Sequence, residues 1–189
     1  MNILLVDFND SFTAILKQSV EKAGSQNVDV ANILEIKNFA SIENYNGIIL
    51  GPGPGYVDEY PQAFELLDRV ENKIPVLGIC LGLQIIAVKY GGTLKNLGKV
   101  FHGKKCEIRH LSNSFLFDGI SETFYAGLYH SWAVDYPGNE LEVSSFRTSD
   151  NVIMSLKHKK YAIEGLQFHP ESYMTESGIK MLSNWINKF

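Results

Sequence analysis

Cysteine is scarce in this sequence, and so are long apolar runs and an excess of basic charge. Two cysteines in 189 residues are too few for a disulfide framework and favour a reduced, cytoplasmic setting. No stretch approaches the ~20 apolar residues of a membrane span, and the first residues lack the basic region and cleavage site of a signal peptide. The net charge of −4 offers no basic face to nucleic acid. We therefore expect neither a membrane protein nor a nucleic-acid-binding protein.

The first half of the sequence alternates short apolar runs with amphipathic stretches. The runs NILLVD, NVDVANI, YNGIIL and KIPVLGI are typical of buried strands, and stretches such as EYPQAFELLDRVEN are typical of helices. This alternation predicts a parallel sheet with helices on both faces. The second half is mostly strand-like, in segments that include ETFYAGLYHSWAVD and YAIEGLQFH, and a last helix is predicted over about residues 177–187. We find no internal repeat or linker and predict a single α/β domain over residues 1–189.

The decapeptide PVLGICLGLQ, residues 75–84, passes from an apolar strand into a helix at Cys80. A nucleophile at such a sharp strand-to-helix turn is pushed out above the sheet, and the turn tolerates only small neighbours. Gly78 and Gly82 supply small neighbours on both sides, and the start of a helix favours a thiolate. The same residues also fit a small buried cysteine in an ordinary strand–turn–helix, so the pentapeptide GICLG alone leaves both interpretations open.

A candidate base for Cys80 occurs in the segment QFHPES, where Glu171 follows His169 by two positions. A cysteine nucleophile needs a base, and the base needs a group that orients it. Pro170 favours an extended backbone at His169, and residues i and i+2 of an extended segment point to the same side. Glu171 could therefore hold the His169 ring while the other ring nitrogen faces Cys80. Alone, the tripeptide also describes a surface histidine beside an acid; together with the cysteine turn it favours catalysis.

The glycine-rich segment GPGPG, residues 51–55, follows a predicted strand at the same edge of the sheet. Glycines there let the backbone approach a reacting atom closely, and a tetrahedral oxyanion needs backbone N–H donors. We predict the amides of Gly53 and Leu81 as these donors. A simple rigid turn is the alternative. The spacing does not fit a dinucleotide-binding fingerprint.

Four motifs in this order, GPGPG, GICLGLQ, YHS and GLQFHPES, resemble the class I (triad-type) glutamine amidotransferases over nearly the whole chain. The resemblance implies a flavodoxin-like α/β fold with a mostly parallel central sheet and an additional antiparallel portion in the second half. It also implies glutamine hydrolysis with Cys80 as nucleophile, His169 as base and Glu171 as orienting acid.

The same resemblance implies where glutamine binds. Gln84 would fix the substrate, aided by the backbone around Ser131 and Trp132, with Gly53 and Leu81 at the reacting amide. No metal and no cofactor are implied for this step.

Two further motifs, DFNDSFT and GKVFHGK, resemble the small subunits of anthranilate synthase and aminodeoxychorismate synthase. This resemblance implies a larger chorismate-using subunit that receives the ammonia, with His102 and Lys104 facing that partner. Both residues also fit solvated loop positions. The product, anthranilate or aminodeoxychorismate, stays open, and Leu83 stands where the family usually has a histidine.

Three other functions compete with this one. The chain could be the glutaminase subunit of another biosynthetic amidotransferase, or a γ-glutamyl or peptidase-like cysteine hydrolase of the same fold. It could also be a non-catalytic binding module, although the intact set of Cys80, His169 and Glu171 argues against that function.

The remaining cysteine and histidines give weaker signals. Cys106 has no partner motif and is interpreted as a passive thiol, and His110 and His158 are interpreted as solvated. His130 could orient a loop at the glutamine pocket or make a structural hydrogen bond. No cysteine–histidine cluster has the spacing of a zinc site.

Overall fold

The structure, a computed structural model, describes residues 1–38 and 42–189. The α-helices are α1 Thr13–Lys22, α2 Pro61–Val70, α3 Leu81–Lys89 and α4 Gly178–Lys188. The strands are β1 Asn2–Asp7, β2 Asn27–Asn32, β3 Gly47–Leu50, β4 Val76–Ile79, β5 Thr93–Asn96, β6 Lys104–His110, β7 Thr123–Leu128, β8 Trp132–Tyr136, β9 Leu141–Arg147, β10 Ile153–His158 and β11 Ile163–Leu166. None of the helices described is long and apolar enough to cross a membrane.

A nine-stranded sheet in the order β2-β1-β3-β4-β11-β10-β9-β6-β7 forms the centre of the molecule. The strands from β2 to β11 in this order pair in parallel, and those from β11 onward pair antiparallel. β5 and β8 form a separate two-stranded sheet. The predicted mostly parallel sheet with an antiparallel portion in the second half is confirmed.

Alternate residues of the central strands feed two hydrophobic cores, one on each face of the sheet. Leu4 and Val6 of β1 face the core that α2 and α3 cover, whereas Ile3 and Leu5 face the core that α1 and α4 cover. A strand buried on both faces is a continuous apolar run rather than an alternating one, which explains the run ILLV. The prediction of helices on both faces is confirmed.

The carboxyl ends of the parallel strands meet at one edge of this sheet. The segments that follow β1, β3, β4 and β11 are residues 8–12, residues 51–55, Cys80 and residues 167–171, respectively. Ligands of open α/β sheets bind at this edge. Every candidate site motif except YHS therefore arrives there directly from a parallel strand.

Some element boundaries differ from those predicted. The segment ETFYAGLYHSWAVD is two strands in different sheets, β7 and β8, separated by residues 129–131, and the strand β5 was not foreseen. The segment YAIEGLQFH remains a strand only to Leu166. Beyond it, His169 makes an isolated bridge with Gly127. These breaks lie beside the candidate site, where local hydrogen bonds replace the regular ladder.

Candidate active site

Cys80 occupies a strained junction between β4 and α3. Its backbone has φ 54° and ψ −100°, a conformation that non-glycine residues rarely adopt. The Cys80 N–H donates to the carbonyl of Leu166 at 2.7 Å, so the neighbouring strand β11 holds the strained residue in place. Strain of this kind persists only when the surrounding structure imposes it and is common at functional sites.

The two glycines beside Cys80 are needed for close packing of the backbone. A Cβ atom on Gly82 would lie 2.2 Å from the carbonyl oxygen of Leu50, and one on Gly78 would lie 2.5 Å from the carbonyl carbon of Gly82. Neither contact can be relieved by moving a flexible side chain. The glycines thus let α3 start directly against β3 and β4, with Cys80 at the turn.

His169 and Glu171 form a buried pair. The His169 Nδ1 atom lies 2.7 Å from Glu171 Oε1, and the two side chains are 2% and 0% exposed. The Thr175 hydroxyl donates to the His169 carbonyl at 2.6 Å. The chain turns after His169, with Ser172 N–H donating to its carbonyl at 3.2 Å, so this turn, and not the expected extended alternation, brings Glu171 back to the ring.

The environment of His169 favours its charged form. Burial lowers the pKa of His169, but the Glu171 carboxylate and the neighbouring Cys80 outweigh it and raise the pKa well above the usual value. Its Nε2 atom is buried and, among the described residues, has no partner of good hydrogen-bond geometry. The ring is held between Phe12 and Tyr129, with centroid distances of 5.1 and 4.8 Å. Because Glu171 fixes Nδ1 and the aromatic rings fix the plane, Nε2 is the nitrogen available to a reacting group.

Two small cavities meet at Cys80. One, of about 180 Å³, is lined by Cys80 together with Gly53, Leu81, Gln84, Ser131 and Trp132, and also by His102, Tyr129 and His130 among others. The second, of about 200 Å³, is lined by Cys80, His169, Gly53, Asp10, Ser11, Phe12, His102 and Tyr129, among others. Every residue that the sequence predicted for the site except Glu171, which contacts His169, therefore lines at least one of them.

Gly53 lies directly against the start of α3. A Cβ atom on Gly53 would lie 2.5 Å from both Leu81 Cδ2 and Phe8 Cβ. Leu81 is the first residue of α3, and the first amides of a helix have no intrahelical acceptor. Gly53 and Leu81 therefore lie side by side at the cavity that Cys80 lines, and the donor role of their amides stays a prediction.

Gln84 is anchored by two hydrogen bonds on the floor of the first cavity. Its Nε2 atom donates to the Trp132 carbonyl at 2.9 Å and to Gln167 Oε1 at 3.2 Å. Gln167 Nε2 in turn lies 3.6 Å from Cys80 Sγ. Gln167, like Phe12 and Tyr129, was not foreseen as a site residue. Its place two positions before His169, at the end of a strand parallel to β4, was the available signal.

His130 is part of the wall of the same cavity. Its Nδ1 atom lies 2.8 Å from the Trp132 carbonyl, and its ring stacks on Phe101, whose ring centroid lies 4.2 Å from the Arg147 guanidinium. Burial lowers the pKa of His130 to about 4, although the hydrogen bond to Trp132 opposes this. His130 is therefore neutral at pH 7 and donates Nδ1–H to that carbonyl, in agreement with both the loop-orienting and the structural interpretation.

The prediction that His110 and His158 are solvated is wrong. Both are buried: His110 stacks on Phe117 at 4.8 Å, and His158 lies between Tyr90 and Tyr161. The lysine and arginine residues beside these histidines did not indicate their exposure, because both histidines point inward from the ends of their strands.

The other singled-out residues lie away from the reacting groups. Cys106 is a half-buried free thiol on β6. Leu83 is fully buried, and a Cβ atom on Gly165 would lie 2.7 Å from it, so it fills the space between α3 and β11 and does not line the cavities at Cys80. Within residues 1–38 and 42–189, no group of three or more histidine, cysteine or acidic side chains could hold a metal ion.

A larger groove, of about 810 Å³, opens at the opposite edge of the sheet, where β3, β4 and β11 begin. It contains none of the predicted site residues. Volume alone is therefore a poor guide to the chemistry of this molecule.

Comparisons with known proteins agree with this geometry. A model of the family described as glutamine amidotransferase class-I matches residues 4–189. A Haemophilus influenzae protein whose name refers to anthranilate synthase component II is 40% identical, over 98% of this chain and 96% of its own length. Anthranilate synthase component 2 of Saccharolobus solfataricus is 37% identical, over 98% of this chain and 97% of its own.

A solved structure shares the fold at low identity. A Thermoplasma acidophilum crystal structure, whose name refers to GMP synthase, superposes with a TM-score of 0.86 over 99% of this chain and 92% of its own, at 20% identity. The family match spans both the Cys80 turn and the His169–Glu171 pair. The chain therefore belongs to the class-I glutamine amidotransferases.

Proposed function

We propose that this chain is the glutaminase subunit of a chorismate-using synthase, of the anthranilate synthase component 2 type. The observation that carries the catalytic part is that Cys80, on its strained turn, shares a cavity with His169, whose ring Glu171 holds. The choice of partner and of its substrate is supported by the names of relatives matched over nearly their full length. It is also supported by the motifs DFNDSFT and GKVFHGK. A cytoplasmic location belongs to the same proposal.

In the first half-reaction, Cys80 attacks the side-chain amide carbon of glutamine as a thiolate. The raised pKa of His169 places a proton on its imidazole in the resting site, so the base has already accepted a proton before substrate arrives. The Gly53 and Leu81 amides stabilise the tetrahedral oxyanion. When the oxyanion collapses, the carbon–nitrogen bond breaks, the nitrogen takes the proton from His169, and ammonia leaves.

In the second half-reaction, a water molecule hydrolyses the γ-glutamyl thioester. Neutral His169 takes a proton from the water as the oxygen attacks the thioester carbon, and the carbon–sulfur bond then breaks to release glutamate and the Cys80 thiolate. Glu171 holds the imidazole in one orientation throughout. Ammonia passes to the larger subunit, with His102 and Lys104, both exposed, on the side proposed to face it.

Labelling with a glutamine-like electrophile tests the chemistry. We expect mass spectrometry to find the label on Cys80, blocked by excess glutamine, and no protected label on Cys106. The absence of a protectable label on Cys80, in the presence of candidate large subunits, would contradict the proposal.

Reconstitution tests the partner. Mixed with the anthranilate synthase or the aminodeoxychorismate synthase large subunit of the same organism, chorismate and glutamine, the chain should support formation of the matching product. Ammonium salts in place of glutamine provide the control, because the large subunit should use them by itself. Glutamine-dependent product from neither pairing, with the ammonium controls active, would overturn the choice of partner and leave the glutaminase assignment intact.

A further inference from the structure

Gln167 is a fully buried amide that connects Cys80 with the glutamine pocket. Its side chain is inaccessible to solvent, its Nε2 atom lies 3.6 Å from Cys80 Sγ, and its Oε1 atom lies 3.2 Å from Gln84 Nε2. A buried amide must be hydrogen-bonded or it costs stability. Here both ends of the amide are satisfied, and both partners belong to the proposed reaction site.

The sheet register, and not a flexible loop, delivers Gln167 to the sulfur. Leu166 pairs in parallel with Ile79, and the Cys80 N–H bonds to the Leu166 carbonyl. The residues that follow this pair, Gln167 and Cys80, therefore lie side by side as well. A contact fixed by paired backbone varies little, which is a requirement for a group that orients a reacting atom.

The orientation of both amides follows from one carbonyl. The Trp132 carbonyl can only accept, so the Gln84 atom that faces it at 2.9 Å is the NH₂ group. The same NH₂ group faces Gln167, so the Gln167 atom at 3.2 Å is its oxygen. The remaining end of Gln167, its NH₂ group, then faces the Cys80 sulfur. Gln84 Oε1 is left to accept a hydrogen bond from a bound ligand.

We propose that Gln167 is a positioning residue that stabilises the Cys80 thiolate and fixes the direction of Gln84. The inference rests on the proposed glutaminase function and extends it. His169 lines the same cavity as the sulfur, and the Gln167 amide supplies a donor to the sulfur at 3.6 Å. The sulfur attacks as a thiolate, is uncharged in the thioester and leaves as a thiolate on hydrolysis, so a fixed donor assists both its attack and its departure.

The test is the pH dependence of Cys80 alkylation by iodoacetamide in the full-length chain, followed by mass spectrometry, with Cys106 as internal reference. In Gln167→Leu we expect the midpoint of the pH profile of Cys80 alkylation to move to higher pH. The alkylation rate at pH 7 should fall roughly tenfold or more, because the thiolate, a charged acceptor, loses one hydrogen bond. Gln26→Leu, an exposed glutamine remote from the site, should match the unchanged chain in midpoint and rate.

A second variant covers the case in which leucine prevents folding. Gln167→Glu keeps the size of the side chain but places a carboxylate beside the sulfur, so the midpoint should move higher than in the parent chain. A variant with a lower melting temperature and an unaltered alkylation midpoint and rate would overturn the proposal and reduce Gln167 to a packing role.

The two proposals fail in distinguishable ways. If glutamine does not protect Cys80 of the parent chain from labelling, the glutaminase function fails. If glutamine protects Cys80 but Gln167→Leu and Gln167→Glu alkylate like the parent, only the role of Gln167 fails.

Discussion

At His169, burial and a neighbouring carboxylate act on one imidazole in opposite directions. Burial lowers its pKa, and the Glu171 carboxylate and Cys80 raise it further than burial lowers it. A histidine with a raised pKa in the folded state stabilises the fold fully below the unfolded value of 6.5. That contribution is lost as the pH rises through the folded value. The pair therefore serves chemistry and stability together at neutral pH.

His169 and Glu171 should differ in the cost of their removal. His169→Ala removes the proton carrier of both half-reactions and should lower kcat/KM for glutamine hydrolysis by about 10²–10⁴-fold. Glu171→Gln keeps the shape of the pair and should lower it less, because Glu171 acts only through His169. Glutamate release measured on the complex checks both values. Near-full activity of His169→Ala would refute the assignment, and Cys106→Ala should be indistinguishable from the parent chain.

The site residues found from sequence are those whose partners are close in sequence. Gly78 and Gly82 surround Cys80 within one turn, and Glu171 lies two positions from His169. Gln167 was missed because its partner Cys80 is 87 positions away, and no local pattern records such a contact. His110 was misjudged for a different reason: Phe117 is only seven positions away, but it lies in another element, and the sequence does not show that its ring packs against His110.

The junction of β4 and α3 is the element on which the nucleophile depends. Gly82→Ala would drive a methyl group into the Leu50 carbonyl and push α3 away from β3. We expect a loss of about 1–3 kcal/mol in the free energy of unfolding, with a large fall in glutaminase activity. Urea unfolding and glutamate release measure the two effects.

Gly24 provides the control for this variant. A Cβ atom on Gly24 meets nothing within 4 Å, but its φ is 116°, so Gly24→Ala costs stability through backbone strain alone. It should retain activity. Full activity in Gly82→Ala would show that α3 tolerates displacement and would contradict the close-packing argument.

A buried carboxyl links β11 to the loop after β6. Burial raises the pKa of Glu164 to about 7, although the Ser114 hydroxyl that donates to it opposes this. The folded chain thus binds a proton that the unfolded chain, with an ordinary value of 4.5, has released. Stability from this group therefore falls as the pH rises from 4.5 to about 7 and does not recover above it.

Glu164→Gln should remove this pH dependence. Relative to the parent chain, its free energy of unfolding should improve between pH 5 and pH 8 by an amount on the order of 3 kcal/mol. Urea denaturation at the two pH values measures the change. Glu122→Gln, at an exposed position, should show no comparable change. If the free energy of unfolding depended on pH equally in Glu164→Gln and in the parent chain, the raised pKa of Glu164 would be disproved.

Elements with strong periodic patterns were predictable, and short or interrupted ones were not. The run ILLV could only be a buried strand, because both faces of β1 are covered. The sequence of β5, TLKN, shows no apolar pattern, because this strand is mostly exposed. The break between β7 and β8 at residues 129–131 follows from pairing with different sheets, which alternation along the chain does not encode.

At the scale of the whole molecule, one sheet joins the parallel and antiparallel portions without interruption. Both hydrophobic cores include residues from the first and second halves of the chain. Such sharing of cores favours a single cooperative unit. That residues 1–189 form a single domain stays a prediction.

Unfolding followed by two probes tests that prediction. The chain has two tryptophans: Trp132 contacts Tyr56 at the site, and Trp185, a residue of α4, is buried in the core that α1 and α4 cover. Urea midpoints from far-ultraviolet circular dichroism and tryptophan fluorescence should coincide. The fluorescence of Trp132→Phe, which reports Trp185 alone, should give the same midpoint as its own circular dichroism. Separate midpoints would mean that the two portions unfold independently.

The α/β class, the glycine-flanked turn at Cys80 and the His169–Glu171 pair were predictable from the residues alone, because they depend on periodicity and on neighbours within a few residues. The three-dimensional arrangement was needed to show that β11 lies beside β4, that Gln167 reaches the Cys80 sulfur, and that Phe12 and Tyr129 enclose His169. Strand order and register are set by the combined packing of both faces of the sheet. No single stretch of sequence contains the partners whose burial makes that arrangement stable.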